Sequence, residues 1–342
     1  MIDLKTYGFP EAGMPDDGSG LVPARIVAEH RGLFRVVAPA GERLARLKAA
    51  AYYQENACET FPTVGDFVHL QELPGGEGLI VHTLPRRSAF RRSDFLGRGA
   101  ASHDLEQVAA ANFDTVFVMA SLNQDFNLRR LERYLAAAWE SGGAPAVVLT
   151  KADLCPAWRD RVREAETVAP GAPVAAVSSV TGQGLSTLSD FLVPARTVVF
   201  LGSSGVGKSS LVNALAGARL MAEGGIREDD ARGRHTTTHR QLVRLPSGAL
   251  LLDTPGMREL GVSHADGLSD AFQEIERLRR QCRFSDCTHG QEPGCAVRAA
   301  LERGELPRER YESYRKLRQE AARVEARRAG LRKGRGRRPS KA

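Results

Sequence analysis

The chain has 342 residues, of which 42% are hydrophobic and 26% charged, as is typical of a soluble globular protein with two or three domains. No segment approaches the roughly 18 to 20 consecutive apolar residues of a membrane-spanning helix, and the amino-terminal residues lack the basic and then apolar pattern of a secretory signal. This composition argues against membrane-spanning and secreted proteins and predicts a cytoplasmic protein with no membrane partner. Nothing in the sequence indicates an obligate dimer interface, so we expect a monomer.

The formal net charge of +7 is concentrated at the carboxyl terminus. Residues 326–342 contain eight Lys or Arg and no acid, so the rest of the chain is close to neutral. A Gly-, Pro- and Arg-rich segment cannot build a core, and we predict a disordered basic tail. Its expected partner is a polyanion whose counterions it can displace, although a merely solubilising tail is an alternative.

The amino-terminal part of the sequence predicts a small β-barrel. Residues 1–21 are rich in Gly, Pro and Asp and are expected to form a flexible lead-in. Residues 22–85 contain short apolar or alternating runs separated by turn residues, a pattern typical of a barrel. An OB-fold is the favoured type, with an SH3-like barrel as the alternative. Residues 86–104 form a linker in which Arg and Phe alternate, either as a nucleic-acid surface or as a plain connection.

Residues 105–262 predict an α/β domain with a mostly parallel sheet. Apolar strands such as "TVFVMASL", "APAVVLT" and "TVVFLG" alternate with helical stretches, and "QLVRL" and "ALLLD" are expected to form a hairpin. Residues 263–325 are again expected to be mainly helical.

Two segments that follow the earlier strands have the chemistry of guanine recognition. In "TKAD", residues 150–153, the Asp153 carboxylate can accept hydrogen bonds from guanine N1–H and N2–H₂, a pattern that adenine does not offer. The aliphatic stem of Lys151 can cover the base plane. Further on, "SSVTGQG" begins at Ser178 and could supply a backbone N–H to guanine O6.

The segment "GSSGVGKSS", residues 202–210, matches the phosphate-binding loop of nucleotide-binding proteins at every constrained position. It follows an apolar strand and precedes a helix-compatible run, as the mechanism requires. Its glycines allow backbone N–H groups to point at phosphate oxygens, and the helix contributes its positive end. Lys208 would reach the β- and γ-phosphates, and the Ser209 hydroxyl would bind Mg²⁺.

Two later segments predict the elements that sense the γ-phosphate. "DTPG" begins at Asp253, which is expected to hold Mg²⁺ through water, while the Gly256 N–H contacts the γ-phosphate. A threonine between the phosphate loop and this segment would complete the Mg²⁺ coordination. Of Thr236, Thr237 and Thr238 in "GRHTTTHR" we favour Thr237.

The order of these motifs indicates a circular permutation. A GTPase ordinarily runs from the phosphate loop to the guanine motif, whereas here "TKAD" comes first and the cyclic order is unchanged. A permutation moves only the chain ends, so the sheet and the pocket can persist. Met257 stands where many GTPases place the glutamine that orients the attacking water, so we expect slow hydrolysis by the protein alone. His235 is our candidate for that role, a surface histidine without one being the alternative.

Three cysteines and one histidine predict a metal site in the last domain. Cys282, Cys287, His289 and Cys295 give the spacing C-x₄-C-x-H-x₅-C within a turn-rich segment. Three thiolates and one imidazole satisfy four-coordinate Zn²⁺ with no open position, which indicates one structural zinc ion. Redox-active thiols are the alternative. Cys58 and Cys155 stand apart from the cluster.

Taken together, these motifs resemble one family, the circularly permuted ribosome-associated GTPases called RsgA or YjeQ. The resemblance rests on "PTVGDFV", "RLERYL", "TKAD", "GSSGVGKSS", "GRHTTTHR", "DTPG" and "CRFSDCTHGQEPGC", and covers most of the chain. It implies an OB-fold domain, a GTPase domain and a zinc domain. It also implies a factor that binds the small (30S) ribosomal subunit and its 16S rRNA late in maturation, with hydrolysis stimulated by the subunit. A GTP/GDP-sensing RNA-binding module with negligible turnover is the alternative function.

The resemblance carries over Thr150 to Asp153, Gly202 to Ser210 and the four zinc ligands, and the motifs described above supply the other expected site residues. The expected GTP-binding residues are Thr150, Lys151, Ala152, Asp153, Ser178, Ser179, Gly202, Ser203, Ser204, Gly205, Val206, Gly207, Lys208, Ser209, Ser210, Asp253 and Gly256. The expected catalytic residues are His235, Lys208 and Thr237, and Mg²⁺ bound with GTP is assigned to Ser209, Thr237 and Asp253. Thr150 departs from the Asn of the general GTPase pattern, and because a hydroxyl reaches less far than an amide, we expect modest affinity for the base.

Overall fold

The computed structural model describes residues 1–15, 18–30, 32–48, 61–92, 107–123, 126–221, 240–253 and 266–335. Within these ranges the chain forms an amino-terminal barrel, a central α/β sheet and a carboxyl-terminal group of helices. This division confirms the three kinds of structure that the sequence predicts. No helix in the described ranges is long and apolar enough to cross a membrane.

Five strands close into the amino-terminal barrel. They are β1 (Leu21–His30), β2 (Leu33–Ala38), β3 (Gly41–Leu47), β4 (Phe67–Glu72) and β5 (Gly78–Thr83). Their order is β1-β2-β3-β5-β4, and β4 pairs back onto β1. Only β3 and β5 are parallel among these pairs, and the other neighbours are antiparallel. A closed five-stranded barrel of this order is the predicted OB-type fold.

The first residues do not form the flexible lead-in that the sequence predicts. A 3₁₀ turn covers Leu4–Tyr7, and the side chains of Leu4 and Phe9 are buried in the core of the barrel. The Phe9 ring packs edge-on against Phe67 with 5.1 Å between centroids. The Gly and Pro content concealed these anchors, because two isolated apolar side chains leave no periodic pattern in the sequence.

A two-stranded ribbon follows the barrel where the sequence predicts a linker. Strands β6 (Ala89–Arg92) and β7 (Gln107–Ala111) pair antiparallel. The Phe90 side chain is buried and its ring stacks on Phe113 with 4.9 Å between centroids. This phenylalanine therefore packs inside the protein and does not serve as a platform for nucleic acid. Residues 93–104 of the predicted linker lie outside the described residues.

Six strands form the sheet of the central domain. They are β8 (Thr115–Ser121), β9 (Ala144–Thr150), β10 (Val174–Ala176), β11 (Thr197–Gly202), β12 (Arg240–Arg244) and β13 (Leu250–Asp253). Their order is β10-β9-β8-β11-β13-β12, and all neighbours are parallel except the β12–β13 hairpin. The mostly parallel sheet and the hairpin are confirmed. Their long Val, Leu and Phe runs match strands buried on both faces.

Three helices accompany this sheet, namely α1 (Leu128–Glu140), α2 (Trp158–Val168) and α3 (Lys208–Ala216). Helix α1 begins after Asn127, whose side chain accepts a hydrogen bond from the Arg130 N–H at 3.0 Å. Leu131, Tyr134 and Leu135 lie on one face and are buried. This spacing of three and four residues is the helical pattern seen in the sequence.

The last part of the described chain contains helices α4 (Asp266–Ala271), α5 (Gln273–Arg280), α6 (Ala296–Glu302) and α7 (Arg308–Arg335). They share a small core that includes Phe272, Ile275 and Leu317. Helix α7 continues through residues 326–335, so the prediction of disorder from residue 326 is wrong for this part. Arg and Ala favour helix, and the preceding turns of α7 supply the nucleus from which it continues.

Candidate functional site

The predicted nucleotide motifs meet at one edge of the central sheet. The phosphate loop follows β11, "TKAD" follows β9, "SSVTGQG" follows β10, and Asp253 ends β13. All four strands are parallel, so their carboxyl ends point the same way. Ligands of open α/β sheets bind at this edge.

The phosphate loop has the backbone that its glycines predict. Gly205 and Gly207 adopt φ values of 70° and 100°, in the left-handed region that favours glycine. Gly202 approaches the neighbouring strand so closely that a Cβ there would lie 2.9 Å from the Met119 carbonyl oxygen. Helix α3 begins directly after Gly207, so its positive end faces the loop.

The Lys208 side chain closes the loop. Its Nζ donates hydrogen bonds to the carbonyl oxygens of Gly202 at 3.0 Å and Ser203 at 2.9 Å. This places an ammonium group at the mouth of a nest of backbone N–H groups, where a phosphate would be neutralised. Val206 is buried beneath the loop, and Ser209 is half-buried in the first turn of α3.

The guanine motif is tied directly to the phosphate loop. The Thr150 hydroxyl donates to the Val206 carbonyl oxygen at 2.5 Å, and the Lys151 Nζ donates to the Gly205 carbonyl oxygen at 2.8 Å. The sequence leads us to expect that a hydroxyl reaches less far than the usual amide. In the structure it does span the gap to the loop, because Thr150 is buried at the end of β9 next to Val206. The bonds of Thr150 and Lys151 brace the two motifs against each other.

The second guanine segment is fixed by its own turn. Ser178 is fully buried, and its hydroxyl oxygen accepts hydrogen bonds from the N–H groups of Val180 at 3.2 Å and Thr181 at 3.1 Å. The Ala152 N–H donates to the Val177 carbonyl oxygen at 3.1 Å, which joins this turn to "TKAD". Asp153 is exposed to solvent, which is compatible with the predicted contact to a guanine base.

Asp253 lies on the phosphate side of the site with its carboxylate largely buried. Burial raises the pKa of this carboxyl group, and the positive charge of Lys208 opposes the rise. A buried carboxylate opposite a lysine suits a site that will receive a cation. Four other predicted residues, His235, Thr237, Gly256 and Met257, lie outside the described residues.

One bracing residue next to the site gave no signal in the sequence. The Asn213 side chain donates to the Met221 carbonyl oxygen at 2.9 Å and accepts from the Met221 N–H at 2.8 Å. This two-way contact fixes the segment that follows α3. An Asn within a helix pattern is unremarkable by itself, so only the folded chain identifies its role.

The four predicted metal ligands come together in the carboxyl-terminal part. Suitable ligand atoms of Cys282, Cys287, His289 and Cys295 all lie within 4.8 Å of one another. The His289 Nδ1 is 3.6 Å from the Cys282 Sγ and 3.5 Å from the Cys295 Sγ. The cluster could therefore hold a metal ion. Cys295 also caps α6, since its Sγ accepts from the Arg298 N–H at 3.4 Å.

The electrostatics of this cluster also suit a metal. Burial lowers the pKa of His289, with Arg279 and Arg318 contributing, and so favours the neutral imidazole that a metal needs. Burial, together with the neighbouring Cys295 and Cys282 thiols, raises the pKa of the Cys287 thiol to about 11. A bound cation would favour the thiolate forms. Among the described residues the buried His289 Nε2 has no hydrogen-bond partner.

The fold and the site together define a class of protein. A phosphate loop, an acidic strand end and a guanine motif surround one sheet edge, and the guanine motif comes before the phosphate loop in the chain. This is a circularly permuted P-loop GTPase. The chain belongs to the RsgA GTPase family, whose model matches residues 83–263.

Curated relatives agree with this membership. "Small ribosomal subunit biogenesis GTPase RsgA 2" of Lactiplantibacillus plantarum is 46% identical over 321 residues, covering 93% of this chain and 89% of that protein. "Small ribosomal subunit biogenesis GTPase RsgA" of Streptomyces avermitilis is 46% identical over 317 residues, covering 91% of this chain and 83% of that protein.

Solved structures share the fold. The crystal structure of YjeQ from Thermotoga maritima matches with a TM-score of 0.65 and 27% identity, covering 88% of this chain and 99% of that one. The structure of YloQ, described as a circularly permuted GTPase, matches with a TM-score of 0.62, 24% identity and coverage of 92% and 98% of the two chains. The second likeness supports the fold alone.

Proposed function

We propose that this chain is a GTPase that acts on the small ribosomal subunit during its late maturation, hydrolysing GTP to GDP and phosphate with stimulation by the subunit. The observation that carries the proposal is the direct joining of the guanine motif to the phosphate loop through Thr150 and Lys151 in a permuted chain. The names of the curated relatives supply the ribosomal context.

Each nucleotide contact follows from the chemistry of the site. Asp153 accepts from the guanine edge, a backbone N–H at Ser179 reaches guanine O6, and the loop N–H groups with Lys208 bind the phosphates. Ser209, Asp253 and Thr237 would hold Mg²⁺, whose charge offsets that of the β- and γ-phosphates. Positioning and charge stabilisation supply most of the catalysis in phosphoryl transfer, so a braced loop is the main requirement.

We propose slow hydrolysis by the protein alone. Met257 has no hydrogen-bonding group that could orient a water molecule, and His235 is the candidate for that role. The subunit would complete the arrangement when it binds. The same apolar residue favours a second candidate function, a GTP/GDP-sensing RNA-binding module with negligible turnover.

The ion in the Cys/His cluster is proposed to be one structural zinc. Zn–S bonds of about 2.3 Å and Zn–N bonds of about 2.0 to 2.1 Å at tetrahedral angles place nitrogen and sulfur about 3.6 Å apart. The separations from the His289 Nδ1 to the Cys282 Sγ and Cys295 Sγ, 3.6 and 3.5 Å, agree with this value. Three cysteines and one histidine fill all four positions, so the ion would stabilise the domain.

The remaining proposals concern context. The expected partner is the 16S rRNA of the subunit, contacted by the barrel and by the basic residues 326–342, and the protein is proposed to be a cytoplasmic monomer. The formal net charge of +7 favours association with a polyanion.

The first test is GTP hydrolysis by the purified protein, alone and with isolated small subunits. We expect a slow basal rate that the subunit raises strongly. A rate that the subunit leaves unchanged would contradict the proposal and favour the sensor. His235→Ala should lower the stimulated rate while nucleotide affinity is kept, whereas a sensor has no stimulated rate to lose.

A second test concerns the base. Asp153→Asn should weaken GTP binding relative to ATP, because the amide presents a donor where the carboxylate accepts two hydrogen bonds. Competition between the two nucleotides measures this selectivity directly. Unaltered selectivity would remove Asp153 from the guanine site.

A further inference from the structure

The barrel is joined to the nucleotide site by backbone pairing. Strand β1 leaves the barrel closure and pairs with β12, placing Ala28 opposite Gln241. On its other side β12 pairs with β13, and Gln241 lies opposite Asp253. Ala28, Gln241 and Asp253 therefore form one row across three strands. At about 4.8 Å per strand, the barrel backbone lies only about 10 Å from the backbone of the aspartate.

Strand β1 is divided between two partners. Its first half, Leu21 to Arg25, pairs with β4 and closes the barrel. Its second half pairs with β12, and its register with β2 shifts between Ile26 and Ala28. Such a shift bends a strand and increases its twist, which redirects β1 from the barrel to the central sheet. The residues after the shift are the point at which the two domains meet.

An ion pair marks that point. The Glu29 Oε2 lies 3.9 Å from the Arg240 Nη1, and the two residues face each other in the β1–β12 register. Both side chains are largely buried, with 27% of Glu29 and 20% of Arg240 exposed. Burial raises the pKa of Glu29, and the positive charge of Arg240 opposes the rise.

Arg240 also occupies a particular place in the chain. It is the first residue of β12 and comes three positions after Thr237, the predicted switch threonine. A shift of β12 against β1 would therefore change both the start of this strand and, through Gln241, the strand that ends at Asp253. No other strand pair in the described ranges joins the barrel to the central sheet.

We propose that Glu29 and Arg240 are positioning residues that hold β12 in register with the barrel, and that this pair carries the effect of a partner bound at the barrel to Asp253. The inference rests on the proposed stimulation by the small subunit and names the route that this stimulation takes. Neither residue touches nucleotide in this scheme. Their effect passes through the backbone row to the phosphate side of the site.

The test compares charge reversals across the pair. Glu29→Arg and Arg240→Glu each place like charges together, and the double variant restores an opposite pair. The control is Glu164→Arg, which places like charges at the Arg161–Glu164 pair in helix α2 of the central domain. For each variant, GTP hydrolysis is measured with and without small subunits, and subunit binding is measured by cosedimentation.

We expect each single reversal to lower the stimulation factor, the stimulated rate divided by the basal rate, roughly fivefold at saturating subunit. The double variant should recover most of it, and Glu164→Arg should match the unaltered protein. Circular dichroism checks folding, and Glu29→Gln replaces any reversal that does not fold. Recovery in the double variant separates pairing from general damage.

The outcomes distinguish the two proposals. If the unaltered protein is not stimulated, the proposed function fails before the pair is tested. If it is stimulated and the single reversals are stimulated equally, the route through Glu29 and Arg240 is wrong. The same conclusion follows if the double variant fails to recover, or if the lost stimulation is explained by lost subunit binding.

Discussion

The barrel and the carboxyl-terminal module, which consists of helices α4 to α7, attach to the GTPase sheet in different ways. On the barrel side the contact is made by the backbone, since β1 and β12 share one continuous eleven-stranded sheet. On the other side no strand of the described chain crosses the boundary, and helices α4 and α7 pack on α1. Gly267 allows this approach, because a Cβ there would lie 2.2 Å from the Ala136 carbonyl oxygen.

Buried arginines stabilise both boundaries with different partners. Arg25 is fully buried and donates to the carbonyl oxygens of Tyr7, Gly65 and Asn112 at 2.5, 3.2 and 3.0 Å. Arg310 instead meets two carboxylates, Glu132 of α1 at 2.7 Å and Glu274 of α5 at 2.8 Å, and donates to one carbonyl oxygen, that of Ala271, at 2.6 Å.

The difference teaches how each junction can respond. Carbonyl groups belong to strands and loops that are already fixed, so Arg25 holds a rigid joint. The ion pairs of Arg310 join side chains of different helices, so they involve no strand pairing. The barrel is therefore suited to transmit strain to the sheet, whereas the carboxyl-terminal module is suited to separate from it.

Removal of the proposed zinc ion should cause the largest loss of structure, and this loss should be confined to helices α4 to α7. Cys287→Ser, or treatment with a chelator, should unfold the helices around the cluster, because the proposed structural zinc would contribute on the order of 10 kcal/mol. Far-UV circular dichroism should fall while GTP binding persists. Cys155→Ser, a half-buried cysteine outside the cluster, is the control. If GTP binding were lost together with the helical signal, the module would not be separable from the GTPase sheet.

Breaking the buried ion pair between Arg310 and Glu132 should cause the second largest effect, a loss of stability. Arg310→Met leaves the Glu132 carboxylate buried without its partner, and should destabilise the protein by about 3 to 5 kcal/mol. Urea denaturation measures this loss. Adding Glu132→Gln should recover part of it by removing the buried charge. A double variant as unstable as the single one would show that packing against Phe272, 4.0 Å below the guanidinium, dominates.

Replacement of Arg25, the buried arginine at the barrel junction, should lower the free energy of unfolding less than replacement of Arg310. Arg25→Met deprives three carbonyl oxygens of a donor, yet it also removes a buried charge whose cost is visible in a pKa lowered by burial to about 9. We expect a loss of about 2 kcal/mol, with hydrogen exchange faster at the junction and the β1–β12 pairing kept. A loss of stability larger than that of Arg310→Met would contradict the predicted ranking of the two junctions.

The exposed ion pair between α1 and the carboxyl-terminal module should contribute least to stability. Arg133 of α1 and Glu320 of α7 are 2.7 Å apart, but their side chains are 40% and 35% exposed. Arg133→Gln should therefore destabilise by at most about 0.5 to 1 kcal/mol in urea denaturation. A larger loss would mean that the edge of this interface, and not its buried centre, holds the module in place.

The motif residues could be placed from the sequence because each loop needs particular residue types at fixed spacing. Gly205 and Gly207 supply left-handed backbone, and Cys282, Cys287 and Cys295 supply thiolates that close a metal site. The residues that hold the loops in place, Thr150 and Asn213, could not be found in this way. Thr150 looked too short for its role, and Asn213 carried no signal at all, because both act on backbone groups that folding brings near.

The sequence by itself determined the three kinds of structure, the permuted order of the motifs and the residues of the metal cluster. These features are local, since each depends on hydrophobic period, turn residues or ligand spacing within a short window. Only the tertiary structure decided that Leu4 and Phe9 fill the barrel, that Arg25 and Arg310 fix two unlike joints, and that Ala28 lies in line with Asp253. Such contacts join residues far apart in the chain, and no local pattern encodes which of many compatible partners each will meet.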